Sequence, residues 1–216
     1  EQNDDGGFKS PPNKPLLPSP DESASMYKYA SEYLQSKDYE HYEISSYAKS
    51  PVNGKSYRSR HNQIYWEPFS EWYAVGLGAT SSVNGRRLSR PRDMLRYIDW
   101  VQEQVRKVRE EKIGQEWLQH IEDDINETEI ADIILTRLRT SDGLDLDWVE
   151  THEGKHMVED ILRGAQLALD LGMAQIEVGN GEYGTLILVD PNGFLFSNTI
   201  ISSILAELEE GQMAAL

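Results

Sequence analysis

The chain has 216 residues, of which 27% are charged and 38% hydrophobic, as in a water-soluble globular protein with room for one large domain or two small ones. Its net charge of −16 argues against nucleic-acid binding, which needs a cationic surface. No apolar run approaches the roughly 20 residues of a transmembrane segment. Cysteine is absent, which excludes disulfides, thiolate nucleophiles and iron–sulfur ligation by this chain.

The charge is unevenly distributed. Residues 55–112 hold twelve Lys/Arg against seven Asp/Glu, whereas residues 126–216 hold four against seventeen. The basic stretch surrounds a polar and aromatic segment at 59–66, so its arginines are either ordinary surface residues or partners for carboxylate or phosphate groups.

The first half alternates predicted helices and strands. Residues 1–20 are rich in proline and predict an extended loop. A helix is predicted from there to about residue 36, because Ser19 and Glu22 can form a capping box. The pattern then predicts a strand at 39–44, a loop at 46–62, a glycine-containing strand at 73–83, a turn at 84–85 and a helix at 92–112. That last helix should face inward with five apolar residues, Met94, Tyr97, Ile98, Val101 and Val105.

The second half predicts a unit resembling a winged helix. A capping box at Asn126 and Glu129 would start a helix that buries Ile130, Ile133, Ile134 and Leu138. Asp145 would cap a short helix, and a longer helix would run over 155–171. Strands at 174–178 and 186–189 would form a hairpin before a last helix at 194–209. Residues 172–191, which include the wing, contain no Lys or Arg, so packing or protein contact is favoured over DNA binding.

The segment 59–66 concentrates functional groups. An imidazole, an amide, a phenol and an indole occur within six residues, SRHNQIYW, and a glycine-containing segment, GLGA, follows at 76–79. The aromatic side chains favour a flat aromatic ligand, and the surrounding arginines favour one that carries carboxylates. The glycines permit close approach of a ligand or a neighbouring strand. The alternative to a ligand role for His61 is an ordinary histidine that is hydrogen-bonded to backbone. The alternative for Gly78 is that it only allows tight packing of the chain.

Five segments carry a resemblance to one family: 39–48, 59–66, 76–79, 138–145 and 190–198. From about residue 15 to the end, the chain resembles the oxygen-independent coproporphyrinogen III oxidase-like radical SAM proteins, on the branch of HemW-type heme chaperones. The resemblance implies an α+β fold. Residues 21–112 would be the last βα elements of a radical SAM partial TIM-like barrel, and 113–216 a small HemN-type, winged-helix-like C-terminal domain. A barrel fragment should also expose a sheet edge and an apolar face.

The resemblance implies the C-terminal portion of a protein that binds heme and delivers it to an acceptor protein. The alternatives are a coproporphyrinogen III oxidase that decarboxylates porphyrinogen propionates by SAM radical chemistry, or a non-catalytic interaction remnant. Family members hold a 4Fe-4S cluster through three N-terminal cysteines, and they also bind S-adenosylmethionine. This chain lacks those cysteines, so it should be inactive alone, with the missing N-terminal half as a partner.

The expected compartment is the cytoplasm, or the interior of a mitochondrion or plastid if a targeting segment was removed upstream.

The resemblance also implies site residues. In the HemW branch the HNxxYW signature is linked to heme binding, and it falls on His61, Asn62, Tyr65 and Trp66. A neutral imidazole can ligate heme iron, so His61 is the candidate axial ligand. In the oxidases, the corresponding segments line the cavity for SAM and substrate, which here gives Gln63, Ile64, Gly78 and Ser82. Arg58 and Arg60 are candidates for pairing with heme propionates on chemical grounds alone.

Overall fold

The computed structural model describes residues 17–83, 86–110, 125–127, 130–179 and 181–214. The helices in these ranges are α1 (Pro20–Gln35), α2 (Arg60–Trp66), α3 (Met94–Glu110), α4 (Ile130–Arg137), α5 (Leu146–Glu153), α6 (Lys155–Asp170), α7 (Asn192–Leu195) and α8 (Ser197–Ala214). The strands are β1 (Tyr39–Glu43), β2 (Ser46–Lys49), β3 (Thr80–Val83), β4 (Arg86–Ser89), β5 (Ile125–Glu127), β6 (Leu144–Asp145), β7 (Ala174–Glu177) and β8 (Thr185–Leu188). The predicted α+β class is confirmed. No helix in the described ranges is long and apolar enough to cross a membrane.

Helix α1 begins as predicted. The Ser19 hydroxyl accepts from the Glu22 backbone N–H at 3.2 Å, and the Glu22 carboxylate accepts from the Ser19 N–H at 2.8 Å. After α1, strands β1 and β2 form an antiparallel hairpin. The prediction of a loop throughout 46–62 is therefore wrong at both ends, because 46–49 pair with β1 and 60–62 open helix α2.

The middle of the chain forms a second small sheet in the order β3-β4-β5, and its pairs are antiparallel. The predicted turn at 84–85 lies outside the described residues. Helix α3 follows the predicted range, but its apolar residues do not face inward, since Met94 is 55% exposed and Ile98 and Val105 are also exposed. Periodicity identifies an apolar face of a helix, but it does not say whether the chain supplies a partner for that face.

The main hydrophobic core lies in the second half. Helices α4, α5, α6 and α8 pack with the sheet β6-β8-β7, and the largest fully buried side chains belong mostly to this unit: Phe194, Ile134, Leu138, Leu144, Leu146, Ile161, Leu186 and Ile204. Asp145 caps α5 as predicted, by accepting from the Trp148 N–H at 2.9 Å. Asn126 lies in strand β5 and is not the predicted cap, and Glu129 lies outside the described residues.

The backbones of α6 and α8 approach closely at Gly164. A β-carbon built on this glycine would lie 2.5 Å from the α-carbon of Ile204 and 3.0 Å from the carbonyl oxygen of Ser203. Both atoms are backbone, so neither can rotate away as a side chain would. The crossing of these two core helices therefore requires the absence of a side chain at position 164.

The first half is attached to this core by backbone and side-chain contacts. The Ser141 N–H donates to the Tyr42 carbonyl at 3.0 Å, and the Ile44 N–H donates to the Arg139 carbonyl at 3.1 Å. Nearby, His41 Nδ1 lies 2.8 Å from an oxygen of Asp190, although the two groups are not aligned as a hydrogen bond. The other Asp190 oxygen accepts from the Ser31 hydroxyl at 2.6 Å. Residues from α1, β1 and the segment before α7 thus meet in one polar cluster.

Replacing Gly164 with alanine should lower the free energy of unfolding by about 1–2 kcal/mol, because the added methyl group forces the α6 and α8 backbones apart. This loss outweighs the roughly 1 kcal/mol that alanine gains in helix propensity. Chemical denaturation measures the difference. Leu167→Ala, at an exposed position on the same helix, serves as the control and should have a smaller effect. A Gly164→Ala protein as stable as wild type would contradict the close crossing.

Replacing Asp190 with alanine should destabilise the protein by about 2–4 kcal/mol, since it removes the carboxylate beside the buried His41 ring and the acceptor of the Ser31 hydroxyl. Thermal or urea unfolding tests this prediction. Asp170→Ala, which removes an exposed carboxylate at the end of α6, is the matched control. Equal losses for the two variants would show that the cluster contributes nothing specific.

Candidate functional site

Helix α2 carries the whole HNxxYW signature. It starts at Ser59, whose hydroxyl accepts from the Asn62 backbone N–H at 3.3 Å and whose own N–H donates to the Tyr42 phenol at 3.4 Å. Serine is a favoured N-cap because its side chain replaces a missing backbone acceptor in the first turn. The start of the helix is therefore tied to strand β1.

One side of α2 faces a buried carboxylate. Glu43, the last residue of β1, is 4% exposed. It accepts a hydrogen bond from the Asn62 side-chain amide at 3.0 Å, one from the Trp66 indole N–H at 2.5 Å, and one from the Ser46 hydroxyl. Because Asn62 and Trp66 are four residues apart, they lie on one side of the helix, and this side is turned toward the protein.

The neighbouring side of α2 is exposed and aromatic. The rings of His61 and Tyr65 meet edge to face, with centroids 5.0 Å apart and an interplanar angle of 88°. Tyr65, which is 40% exposed, makes a second edge-to-face contact with Trp72 at 5.1 Å. Among the described residues, none hydrogen-bonds to the His61 ring nitrogens. We call the row formed by the exposed His61 and Tyr65 and the half-buried Trp72 the aromatic face.

Trp72 is held in place from behind. Its indole N–H donates to the Thr80 carbonyl at 2.9 Å, and its backbone pairs with Ser82 through two hydrogen bonds of 2.9 Å. The Arg87 guanidinium lies 6.0 Å from the centre of the indole ring. Trp72 was not among the residues predicted from the sequence. The one feature that could have indicated it is its position as an aromatic residue between the segments 59–66 and 76–79.

The two candidate arginines occupy different environments. Arg58 donates to Asp142 at 2.7 Å, to Glu40 at 3.1 Å and to the Ser141 hydroxyl at 3.2 Å. Burial opposes its charge, but the hydrogen bonds that it donates to Glu40 and Asp142 outweigh that effect and hold the pKa of Arg58 above its usual value. Arg60 is exposed, and no carboxylate in the described ranges forms an ion pair with it.

The remaining candidates are spread over two elements. Gln63 is half-buried and Ile64 exposed on α2. Gly78 has a φ of +67° in the turn before β3 and donates its N–H to the Pro91 carbonyl at 2.9 Å. Ser82 is 1% exposed in β3, behind Trp72. The contacts from Tyr65 through Trp72 to Ser82 are what connects α2 with this second sheet.

A small cleft lies beyond the end of α2. It has a volume of about 220 Å³ and is lined by Pro68, Phe69, Ile133, Arg137, Leu144, Asp145 and Trp148. Pockets for organic ligands are typically about 300–1,000 Å³, so this cleft is too small for a porphyrin. In the part of the chain that the structure describes, no group of three or more His, Cys, Asp or Glu side chains could hold a bare metal ion.

Comparison with known proteins shows what the chain is similar to. No family model matches the chain, and no solved structure matches it significantly. The chain is 29% identical to the heme chaperone HemW of Synechocystis sp., over 91% of this chain and 47% of that protein. It is also 37% identical to the heme chaperone HemW of Lactococcus lactis subsp. lactis, over 33% of this chain and 17% of that protein.

The chain thus spans about half the length of the first of these relatives. The similarity confirms the family resemblance that the motifs predicted. The chain is therefore similar to part of the heme chaperones named HemW.

Proposed function

We propose that this chain is the heme-docking part of a HemW-type chaperone, a protein that binds heme and delivers it to an acceptor protein. The observation that carries the proposal is the position of His61, whose imidazole is exposed on α2 next to Tyr65 and has no hydrogen-bond partner among the described residues. A neutral imidazole nitrogen is a good axial ligand for heme iron. Both relatives are named as heme chaperones, which supports the same assignment.

Heme would bind on an open surface. The aromatic face offers the rings of Tyr65 and Trp72 beside the His61 imidazole, and aromatic rings favour contact with a flat macrocycle. Arg60 is the candidate for a heme propionate, because it is exposed at the start of the same helix and its guanidinium has no described carboxylate partner. Arg58 is already paired with Glu40 and Asp142, so we assign it a structural role. An open site suits a protein that must release its ligand to another protein.

The SAM and substrate cavity remains part of the proposal for the whole protein. Gln63, Ile64, Gly78 and Ser82 would contribute to it, supported by the contact of α2 with Trp72 and of Trp72 with Ser82. The sequence has no cysteine, so thiolates for a 4Fe-4S cluster would have to come from a different polypeptide segment.

We further propose that residues 21–112 complete a partial barrel together with that other segment, and that 113–216 form a winged-helix-like domain. The exposed apolar residues of α3 support the first part, because a large apolar face normally has a protein partner. The relative from Synechocystis is about twice as long as the aligned region. The second part is supported by the order of α4–α6 followed by the β7–β8 hairpin, to which β6 adds a third strand.

Replacing His61 with alanine should reduce hemin affinity at least about tenfold and change the Soret band, because the axial ligand is lost. Titration of the purified chain with hemin, followed by absorbance, measures both quantities. His152→Ala, which removes another exposed histidine, is the control for non-specific coordination. Identical spectra for wild type and His61→Ala would remove His61 as the heme ligand.

Replacing Arg60 and Arg58 by glutamine, one at a time, should separate binding from stability. Arg60→Gln should weaken hemin binding about threefold to tenfold with an unchanged melting temperature, since it removes only an exposed charge. Arg58→Gln should lower the melting temperature, because its two carboxylate partners lose their cation, with little direct effect on hemin. The reverse pattern would make Arg58 the propionate partner.

A further inference from the structure

We propose that Glu43 is the positioning residue of the heme site: its buried carboxylate fixes helix α2 through Asn62 and Trp66, so that His61 and Tyr65 point outward. On this assignment, Asn62 and Trp66 are anchors within the HNxxYW signature and do not touch heme. The anchoring stands on the geometry of this chain alone, whereas its consequence for heme rests on the proposed function.

Helix α2 cannot maintain its orientation by itself. It has seven residues, and isolated helices shorter than about 12 residues are marginal in water. None of its residues is fully buried, and Asn62, Gln63 and Trp66 are half-buried, so apolar packing contributes little to fixing its rotation about its own axis. The two side-chain hydrogen bonds to Glu43 are therefore the specific contacts that set which side of α2 faces the protein.

Glu43 is itself held in a fixed position. Its backbone forms an antiparallel bridge with Thr140, and the next residue, Ile44, donates its N–H to the Arg139 carbonyl. On the other side, the β1–β2 register shifts between His41 and Glu43 and then pairs Glu43 with Ser46. Two separate segments thus fix the backbone from which the carboxylate projects.

The chemistry of the three contacts suits an ionised carboxylate. Asn62 and Ser46 donate to one oxygen and Trp66 to the other, and an indole N–H can only donate. No ion pair to Glu43 occurs in the described part of the chain, so these neutral donors are what compensates the buried charge. Hydrogen bonds to a charged group are stronger than neutral ones, and leaving such a group without its donors is costly.

The helix geometry explains how the contacts of Glu43 with Asn62 and Trp66 determine the directions of His61 and Tyr65. Positions 61 and 65 each precede an anchoring position by one residue, which places them about 100° around the helix axis. With Asn62 and Trp66 facing Glu43, His61 and Tyr65 face sideways toward Trp72, where the observed ring contacts lie. A rotated or frayed α2 would break up the aromatic face even with every one of its residues present.

The test uses Glu43→Gln and the exchanged pair Glu43→Gln/Asn62→Asp in the full chain. Glu43→Gln places an amide donor opposite the Asn62 amide donor, whereas the exchanged pair restores the contact with donor and acceptor reversed. In the exchanged pair the glutamine oxygen can still accept from Trp66, and the Ser46 hydroxyl can rotate to suit. Glu67→Gln, an exposed carboxylate next to α2, is the matched control for loss of charge.

Two readouts are needed. Hydrogen exchange of the α2 amides, compared with those of α6, reports the anchor without heme, and hemin titration with the Soret spectrum reports the ligand site. We expect Glu43→Gln to speed α2 exchange and to weaken hemin binding, each about tenfold, with α6 unchanged. The exchanged pair should recover both, and Glu67→Gln should alter neither.

The outcomes separate this inference from the proposed function. Unchanged α2 exchange in Glu43→Gln, or no recovery in the exchanged pair, overturns the anchor. Faster α2 exchange with unchanged hemin binding, in a protein whose binding still depends on His61, overturns the positioning role. If His61→Ala leaves hemin binding unchanged, the proposed function fails, and hydrogen exchange still decides whether Glu43 anchors α2.

Discussion

The rest of the structure depends on the antiparallel contact between the end of β1 and the turn after α4. Tyr42 and Ile44 exchange backbone hydrogen bonds with Ser141 and Arg139, and Glu43 bridges Thr140 between them. The main core cluster consists of buried residues from Ile133 to Leu208, and the first half adds to it only the half-buried side chains of Tyr27 and Ile44. Elements without a large core of their own are therefore ordered by attachment to a unit that has one.

Glu43 connects this contact with helix α2, which carries the aromatic face. Its backbone forms the bridge with Thr140, and its carboxylate accepts the hydrogen bonds from Asn62 and Trp66 of α2. Strand β1 also contains His41, whose ring is buried against Asp190 on one side. On the other side it stacks on the Tyr47 ring, with the ring centroids 3.9 Å apart.

The sequence predicted best what local interactions decide. The capping box at Ser19 and Glu22 and the Asp145 cap depend on neighbouring residues, and both were found where they were predicted. The inward face of α3 was predicted wrongly, because burial depends on a partner that periodicity cannot reveal. The two sides of α2 were not separated in advance either, since the partner of Asn62 and Trp66 lies about twenty residues away in β1. A motif quoted as one unit therefore contains residues with two different tasks.

The exposed surfaces of the first half have a common explanation. The aromatic face of α2 and the apolar face of α3 both belong to the part of the chain that lacks the main core, and the relative from Synechocystis is about twice as long as the matched region. A protein segment that packed on α3 would shield apolar area and would also lie near the sheet that supports Trp72. Apolar burial is the main favourable term in protein association, so such a segment would be stabilised by its contact with α3.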